Sequence, residues 1–282
     1  MPAPVIKVIA DSVSDVPPQL AEQLDITVVP TVIHIGQEGY LDDGVQISRE
    51  EFYRLLPTLR ELPTTSACPL GLSRAMIARK AEEADHLILI TAPAHLSSIY
   101  NNFRIAAEEV APGRYTLVDS GQATMGEGFL VLAAAEAAAR GASLDTILSI
   151  VSDMKSRIHV FAALNTLENL RKSGRVGWAA AMAGTILQIK PLVELSQGVV
   201  KSLANVRTFR RAMERLVQLG VEHAPLERLA ILHTDFLEGA YELRQALSSV
   251  FPPEQALVVN ANPALGVHVG ARGLGIALVR QA

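Results

Sequence analysis

Short apolar runs rich in Val and Ile alternate with stretches whose apolar positions recur three and four residues apart, from residue 5 almost to the C-terminus. A period of two marks strands and a period near 3.6 marks helices, so the alternation predicts stacked βα units around a largely parallel sheet. In the first half, strands are predicted at 5–9, 26–35, 86–91 and 115–119. Pro17 and Pro18 open a helix to Leu24, where the fixed φ and missing N–H of proline cost nothing. Gly-Gln-Glu-Gly at 36–39 reads as a hairpin tip, with Tyr40 and Leu41 returning. Ser48 followed by Glu51 has capping-box spacing and predicts a helix through Leu56, ended by Pro57 and Pro63. A helix to about Val110 follows the third strand, and an Ala-rich helix stopped by Gly141 follows the fourth. Leu144, Ile147, Leu148 and Val151 then share one helical face behind Ser143.

The same rhythm resumes with a strand at 158–163, and Asn165 with Glu168 predicts a capped short helix ending at Gly174. An apolar helix is predicted at 178–186, a hairpin joining 189–195 to Val199 and Val200 through 196–198, and a basic helix at 207–219. Strands at 229–233, 257–259 and 275–279, with a helix at 237–247, complete the chain. The prediction is two α/β domains, 1–155 and 156–282, with no internal repeat or low-complexity linker.

Composition narrows the function. The 282 residues are 49% hydrophobic but only 5% aromatic, which suits an aliphatic α/β core and excludes a disordered or fibrous chain. Lys and Arg number 25 against 29 Asp and Glu, a balance of the wrong sign for a protein whose main partner is a phosphate backbone. The single Cys68 precludes an intrachain disulfide and a cysteine zinc cluster. The N-terminus meets Asp11 before an apolar stretch forms, so no signal peptide is predicted, and no apolar run approaches the ~20 residues of a membrane span. A cytoplasmic protein is expected.

Motifs for common chemistry are missing. Asp-Ser-Val-Ser-Asp at 11–15 has Val13 where an aspartyl-phosphate phosphatase needs its second carboxylate, so these residues read as a turn and cap. No G-x-x-x-x-G-K-[ST] or correctly spaced G-x-G-x-x-G occurs, and the seven His show no metal-ligand spacing. No nucleotide cofactor or metal is expected. What remains is a set of hydroxyl-rich loops at the C-terminal ends of predicted strands, where α/β proteins bind ligands: Thr64 to Ser66, Ser97 with Ser98, and Ser120. The residues leave open a small-molecule serine hydrolase using Ser97 or Ser120 with His268 as base, although no G-x-S-x-G elbow exposes a nucleophile.

Several segments in order resemble one family. D-S-V-S-D-V-P at 11–17 is similar to its D-S-x-S-D-[LV]-P, and V-V-P at 28–30 with Y-L-D-D-G at 40–44 and E-F-Y at 51–53 to its V-P…Y-x-D-G…E-E-F-Y. P-T-T-S at 63–66 resembles P-T-[TS]-S, 164–176 resembles T-L-x-x-L-x-x-G-G-R-[IV], and Q-I-K-P at 188–191 resembles x-I-K-P. V-R-T at 206–208 and G-V-H-V-G at 266–270 followed by Gly273 complete the series. The resemblance is to the DegV family of fatty-acid-binding proteins.

That resemblance implies two α/β domains holding one long-chain fatty acid between them. It also implies a carrier that performs no chemistry alone and presents the acid to a separate fatty acid kinase, which makes the acyl phosphate for phospholipid synthesis. Carried over by position, Thr65, Ser97 and His268 would lie at the carboxylate. The family's S-x-L-S-G-T reads A-H-L-S-S-I at 94–99, so Ser98 and Ile99 replace its Gly-Thr, and Ala67 and Cys68 replace its usual Gln-Pro. Burying the roughly 14 methylenes of a palmitate-length tail at about 0.8 kcal/mol each supplies about 11 kcal/mol. Association removes about 4 kcal/mol or more, leaving micromolar to nanomolar binding. Arg171, Lys172 and Arg175 cluster after a short helix, and Arg175 is a candidate contact for an acidic kinase surface or for phosphate.

Overall fold

The computed structural model describes residues 4–181 and 189–282. In chain order the first elements are β1 (Ile6–Asp11), α1 (Pro18–Gln23), β2 (Thr27–Val29), β3 (Val32–Ile35), β4 (Glu38–Leu41), α2 (Arg49–Leu55), β5 (Thr64–Ser66), α3 (Leu70–Ala81) and β6 (His86–Thr91). Then come α4 (Ile99–Val110), β7 (Tyr115–Asp119), α5 (Met125–Ala139), α6 (Leu144–Arg157), β8 (Ile158–Ala163), α7 (Glu168–Ser173) and α8 (Gly177–Ala181). The chain closes with β9 (Lys190–Ser196), β10 (Val199–Val206), α9 (Phe209–Glu222), β11 (Leu226–His233), α10 (Leu237–Ala246), β12 (Leu257–Asn260), α11 (Pro263–Val269) and β13 (Leu274–Arg280). The apolar helix expected at 178–186 is seen as α8, and its remainder lies outside the described residues.

Two compact units emerge, Met1–Val32 with Ser66–Ser156, and Ile33–Thr65 with Arg157–Ala282. The fold is therefore α/β in two parts, with a division at 156/157 close to the expected 155/156. The contents differ from the expected 1–155 and 156–282, because 33–65 crosses into the second unit. The physical reason is burial: Phe52 and Tyr53 of α2 are almost fully enclosed and share a core with Ala264 and Val267 of α11. The Tyr53 hydroxyl donates to the carbonyls of Ala261 at 2.9 Å and Asn262 at 3.3 Å, and the Arg49 guanidinium donates to the Asn260 carbonyl. A sequence read in order has no means of assigning that helix to a partner more than 200 positions away.

The first unit is a four-stranded sheet in the order β2-β1-β6-β7, with every pair parallel. The predicted strand at 26–35 is two strands in different sheets. Pro30 has no N–H for a ladder, and Thr31 turns inward so that its N–H donates to Ser12 Oγ at 3.1 Å. α5 is buried on nearly every side, as its run of Ala, Leu and Val demands. It approaches the Ser12–Ser14 turn so closely that a Cβ on Gly128 would lie 2.5 Å from the Ser14 carbonyl oxygen. α3, which the sequence reading passed over, carries the buried Lys80, whose ammonium meets Asp25 and Glu83 at 2.8 Å each.

The second unit holds a six-stranded sheet, β10-β9-β8-β13-β11-β12, and a smaller one, β4-β3-β5. Only β11 and β12 are parallel in the larger sheet, so the expectation of a largely parallel sheet holds for the first unit alone. The predicted hairpin is present, turning at Gln197 and Gly198 with φ of 50° and 77°, the double positive φ that matches strand twist. α9 and α10 cover one face, burying Leu216, Leu219 and Leu243 against Ile231, Ile276 and Leu278. The predicted capping box of α2 is present, with Glu51 N–H donating to Ser48 Oγ at 3.1 Å and Ser48 N–H to Glu51 Oε2 at 3.2 Å. That of α7 is not, because Thr166 Oγ1 accepts the Glu168 N–H while Asn165 accepts from Lys190.

Asp11 ends β1 between β2 and β6, the point where the strand order of the first unit reverses. Its carboxylate accepts from the N–H groups of Val13 and Ala92, both at 2.9 Å, which bears out the reading of 11–15 as a turn and cap. Glu127, in the first turn of α5, is also fully buried. Burial raises the Asp11 carboxyl to about 6. Burial, together with the Asp11 carboxylate, pushes Glu127 well above the ordinary glutamate range. Both shifts favour the neutral acid in the folded state, so their stabilisation is complete below the unfolded-state values. It is lost as pH rises through about 6 for Asp11 and through the raised value of Glu127. Glu127→Gln keeps the neutral form, so its thermal midpoint is expected to exceed the parent's by a few degrees at pH 8 and to match it near pH 4.5. Equal midpoints at both pH values would contradict this account.

Candidate ligand-binding site

Two of the residues singled out by sequence meet in the second unit. Thr65 is the middle residue of β5, and His268 lies in the last turn of α11. α11 is short, but its start is well determined: Pro263 occupies its first position, and Asn262 Oδ1 accepts the Leu265 N–H at 2.7 Å. Gly266 packs against Tyr53, and a Cβ there would lie 2.6 Å from the Tyr53 hydroxyl oxygen. The helix is thereby held by α2, and the neighbouring His268 with it.

Thr65 Oγ1 and His268 Nε2 are 3.1 Å apart, a hydrogen bond between residues 203 positions apart in sequence. His268 Nδ1 is buried and has no hydrogen-bond partner among the described residues. Burial, and secondarily the positive charge of Arg175, lower the imidazole to about 4, so it is neutral at physiological pH. Asn169 on α7 fixes the end of α11 from the other side, its Nδ2 donating to the Val267 carbonyl at 3.0 Å. A Cβ on Gly270 would come within 3.0 Å of Asn169 Oδ1, so the glycine that closes the helix at φ 80° also gives this amide its place. Sequence reasoning missed Asn169. Its only signal was membership of the Thr-Leu-Glu-Asn-Leu segment at 166–170.

Arg175 is exposed, just past α7, with its guanidinium donating to the Ser173 carbonyl at 2.7 Å. Neighbouring Lys172 is paired with Glu168 at 2.6 Å. Ser97 belongs to the first unit, in the loop between β6 and α4, at the C-terminal edge of the parallel sheet. It is half-buried, and its hydroxyl accepts the Ile99 N–H at 3.3 Å. Ser98, which stands where the resembled motif has glycine, has φ −78°, a conformation open to any residue. Ile99, in place of the motif's threonine, is buried in the core beside Phe103. Cys68 is buried in the same core, and burial raises its thiol.

Ser120 is not available as a nucleophile. It is fully enclosed, its hydroxyl donating to the Gln122 carbonyl at 2.9 Å and accepting the Gln122 N–H at 3.0 Å. Among the described residues no group of three or more His, Cys, Asp or Glu could hold a metal ion. No helix there is long and apolar enough to cross a membrane.

The chain's relatives agree over its whole length. The family model described as "Uncharacterised protein, DegV family" matches residues 5–281. A DegV domain-containing protein of Mycobacterium tuberculosis is 34% identical over 278 residues, covering 96% of each chain. One from Caldanaerobacter subterraneus subsp. tengcongensis is 31% identical over 275 residues, covering 96% of this chain and 97% of its own. Among solved structures, a fatty-acid-binding DegV family protein of Thermus thermophilus has a TM-score of 0.89 at 29% identity, covering 98% of this chain and 99% of its own. DegV of Bacillus subtilis, described as a fatty acid binding protein, has a TM-score of 0.85 at 25% identity, covering 99% of this chain and 100% of its own. The chain belongs to the DegV family.

Proposed function

We propose that this protein binds a long-chain fatty acid and presents its carboxylate to a separate fatty acid kinase for acyl-phosphate formation. It is read as a cytoplasmic carrier without catalytic activity of its own. The observation that carries the reading is the pairing of Thr65 with a buried, neutral His268. A hydroxyl backed by an uncharged imidazole supplies hydrogen bonds to a carboxylate without burying a Lys or Arg charge, whose desolvation would cost several kcal/mol. The likeness to fatty-acid-binding relatives of Thermus thermophilus and Bacillus subtilis supports the same ligand.

In this reading Ser97 is a further hydroxyl ligand of the carboxylate, and the tail provides most of the affinity through burial of its methylenes. The exposed Arg175 is left for the partner, either an acidic kinase surface or the phosphate being transferred. The hydrolase reading loses ground because Ser120 is spent and His268 Nε2 is engaged by Thr65.

Removing the head-group donors is the first test. Hydrogen bonds to a charged acceptor contribute about 1.5–3 kcal/mol each, so Thr65→Val with Ser97→Ala is expected to lower fatty acid affinity at least tenfold. Affinity equal to the parent's would reject the site assignment. The partner role is tested separately. Arg175→Ala is expected to lower phosphorylation of the bound acid several-fold with lipid content unchanged, and an unaltered rate would dismiss Arg175 as a contact.

A further inference from the structure

The carboxyl groups of Asp11 and Glu127 meet inside the first unit, and their surroundings are unequal. Asp11 is fully buried at the end of β1 with one backbone N–H on each oxygen, Val13 on Oδ1 and Ala92 on Oδ2, both at 2.9 Å. Glu127, equally buried in the first turn of α5, receives no N–H or hydroxyl proton on either oxygen among the described residues. Two ionised carboxyl groups are acceptors only and cannot bond to one another, whereas one proton between them turns the contact into a hydrogen bond. The two N–H donors favour the charged form of Asp11, and nothing comparable compensates a charge on Glu127. The start of α5 is held in the position that brings the pair together. Thr124, a β-branched residue at φ 49° and ψ −145°, precedes the helix, and its N–H donates to the Val13 carbonyl at 2.8 Å. Such strain persists only where the surroundings over-determine it.

We propose that Asp11 and Glu127 share one proton at neutral pH, carried by Glu127 and donated to Asp11, and that the pair is a clamp on the loop 92–98 which alkaline pH releases. The link is Ala92, the first residue of that loop, whose N–H is held by Asp11 Oδ2. From there the chain runs through the exposed Ala94 and His95 to Ser97, tied once more by Asp119 Oδ2, which accepts the Ala94 N–H at 3.2 Å. Loss of the Glu127 proton puts two like charges in contact in a buried site. The other groups facing the pair do not offset this. Asp15, after the Ser12–Ser14 turn, and Asp119, at the end of β7, carry the same sign, β6 ends in the uncharged Thr91, and the Lys155 ammonium of α6 is committed to the Asp119 carbonyl. α5 is buried on nearly every side and cannot retreat, so the Asp11 carboxylate turns away and Ala92 loses its acceptor. Burial holds Glu127 protonated well above the ordinary glutamate range, so the clamp is closed at neutral pH and opens as pH rises through that raised value. The device lies wholly in the first unit and needs no ligand, so it goes beyond the fatty-acid reading without depending on it.

The test uses the full-length, delipidated, 13C- and 15N-labelled protein. Its side-chain carboxyl carbons are followed by NMR from pH 5 to pH 10, with the Asp11 and Glu127 signals assigned through bonds from their backbone resonances. A protonated Glu127 and an ionised Asp11 are expected at pH 7. A Glu127 already ionised at pH 7, or still protonated at pH 10, would overturn the proposal. In parallel, hydrogen exchange of the Ala92 amide is compared at each pH between the parent and Glu127→Gln, whose amide donates to Asp11 throughout. Equal exchange is expected at pH 7, and above the Glu127 midpoint the parent is expected to exchange about tenfold faster, the worth of one hydrogen bond to a charged group. Equal exchange on both sides of the midpoint would reject the clamp. Should Glu127→Gln not fold, the parent alone decides: a loss of Ala92 protection, corrected for the intrinsic rate, at the Glu127 midpoint supports the clamp, and unchanged protection through it rejects it. No fatty acid is present, so failure of the fatty-acid reading leaves these outcomes as they are.

Discussion

The binding proposed for this protein turns on an imidazole that has been deprived of charge. His268 is enclosed enough, and close enough to Arg175, that its protonated form is disfavoured far below neutrality. A charged histidine would grip an anion more strongly but would demand its own partner at Nδ1, where the structure supplies none among the described residues. The neutral ring sacrifices that attraction for a fixed orientation. Such a trade suits a ligand whose free energy of binding comes from a long apolar tail, since the head group then needs direction more than force.

That arrangement depends on how the second unit is assembled. Thr65 reaches His268 because the excursion 33–65 leaves the first unit, packs α2 against α11, and returns through β5. Tyr53 is the pin: its ring occupies the space above Gly266, and its hydroxyl holds the backbone at the start of α11. Asn169 closes the other end of the same short helix. A seven-residue helix has little stability of its own, so its geometry is borrowed from these side chains.

Much of this was legible in the sequence, and the failures have physical causes. The strands of the first unit and the capped α2 were readable because alternation and Ser48–Glu51 spacing are local signals. α3 was passed over because its buried face mixes Ser73 and Lys80 with Ile77 and Ala81, which blurs the apolar period. α11 was missed for a related reason, since Pro-Ala-Leu-Gly-Val-His-Val offers glycine and β-branched residues where helix formers are expected. The strand at 26–35 was read as one because its apolar run continues on both sides of Pro30, where the structure divides it between two sheets. The pairing of Thr65 with His268 was not legible, because a contact spanning 203 residues leaves no trace in spacing or periodicity.

The chemistry left unused is informative as well. Ser120 is committed to its own loop and Asp11 to the N–H groups around the first unit's switch point, so these two segments are structural. What is left is a hydroxyl, a neutral imidazole and the need for an apolar tail. Mass spectrometry of the purified protein after denaturation tests that conclusion most directly. The account predicts about one long-chain fatty acid released per chain, whereas a protein that is empty as isolated, takes up no long-chain acid and turns over simple esters would contradict it.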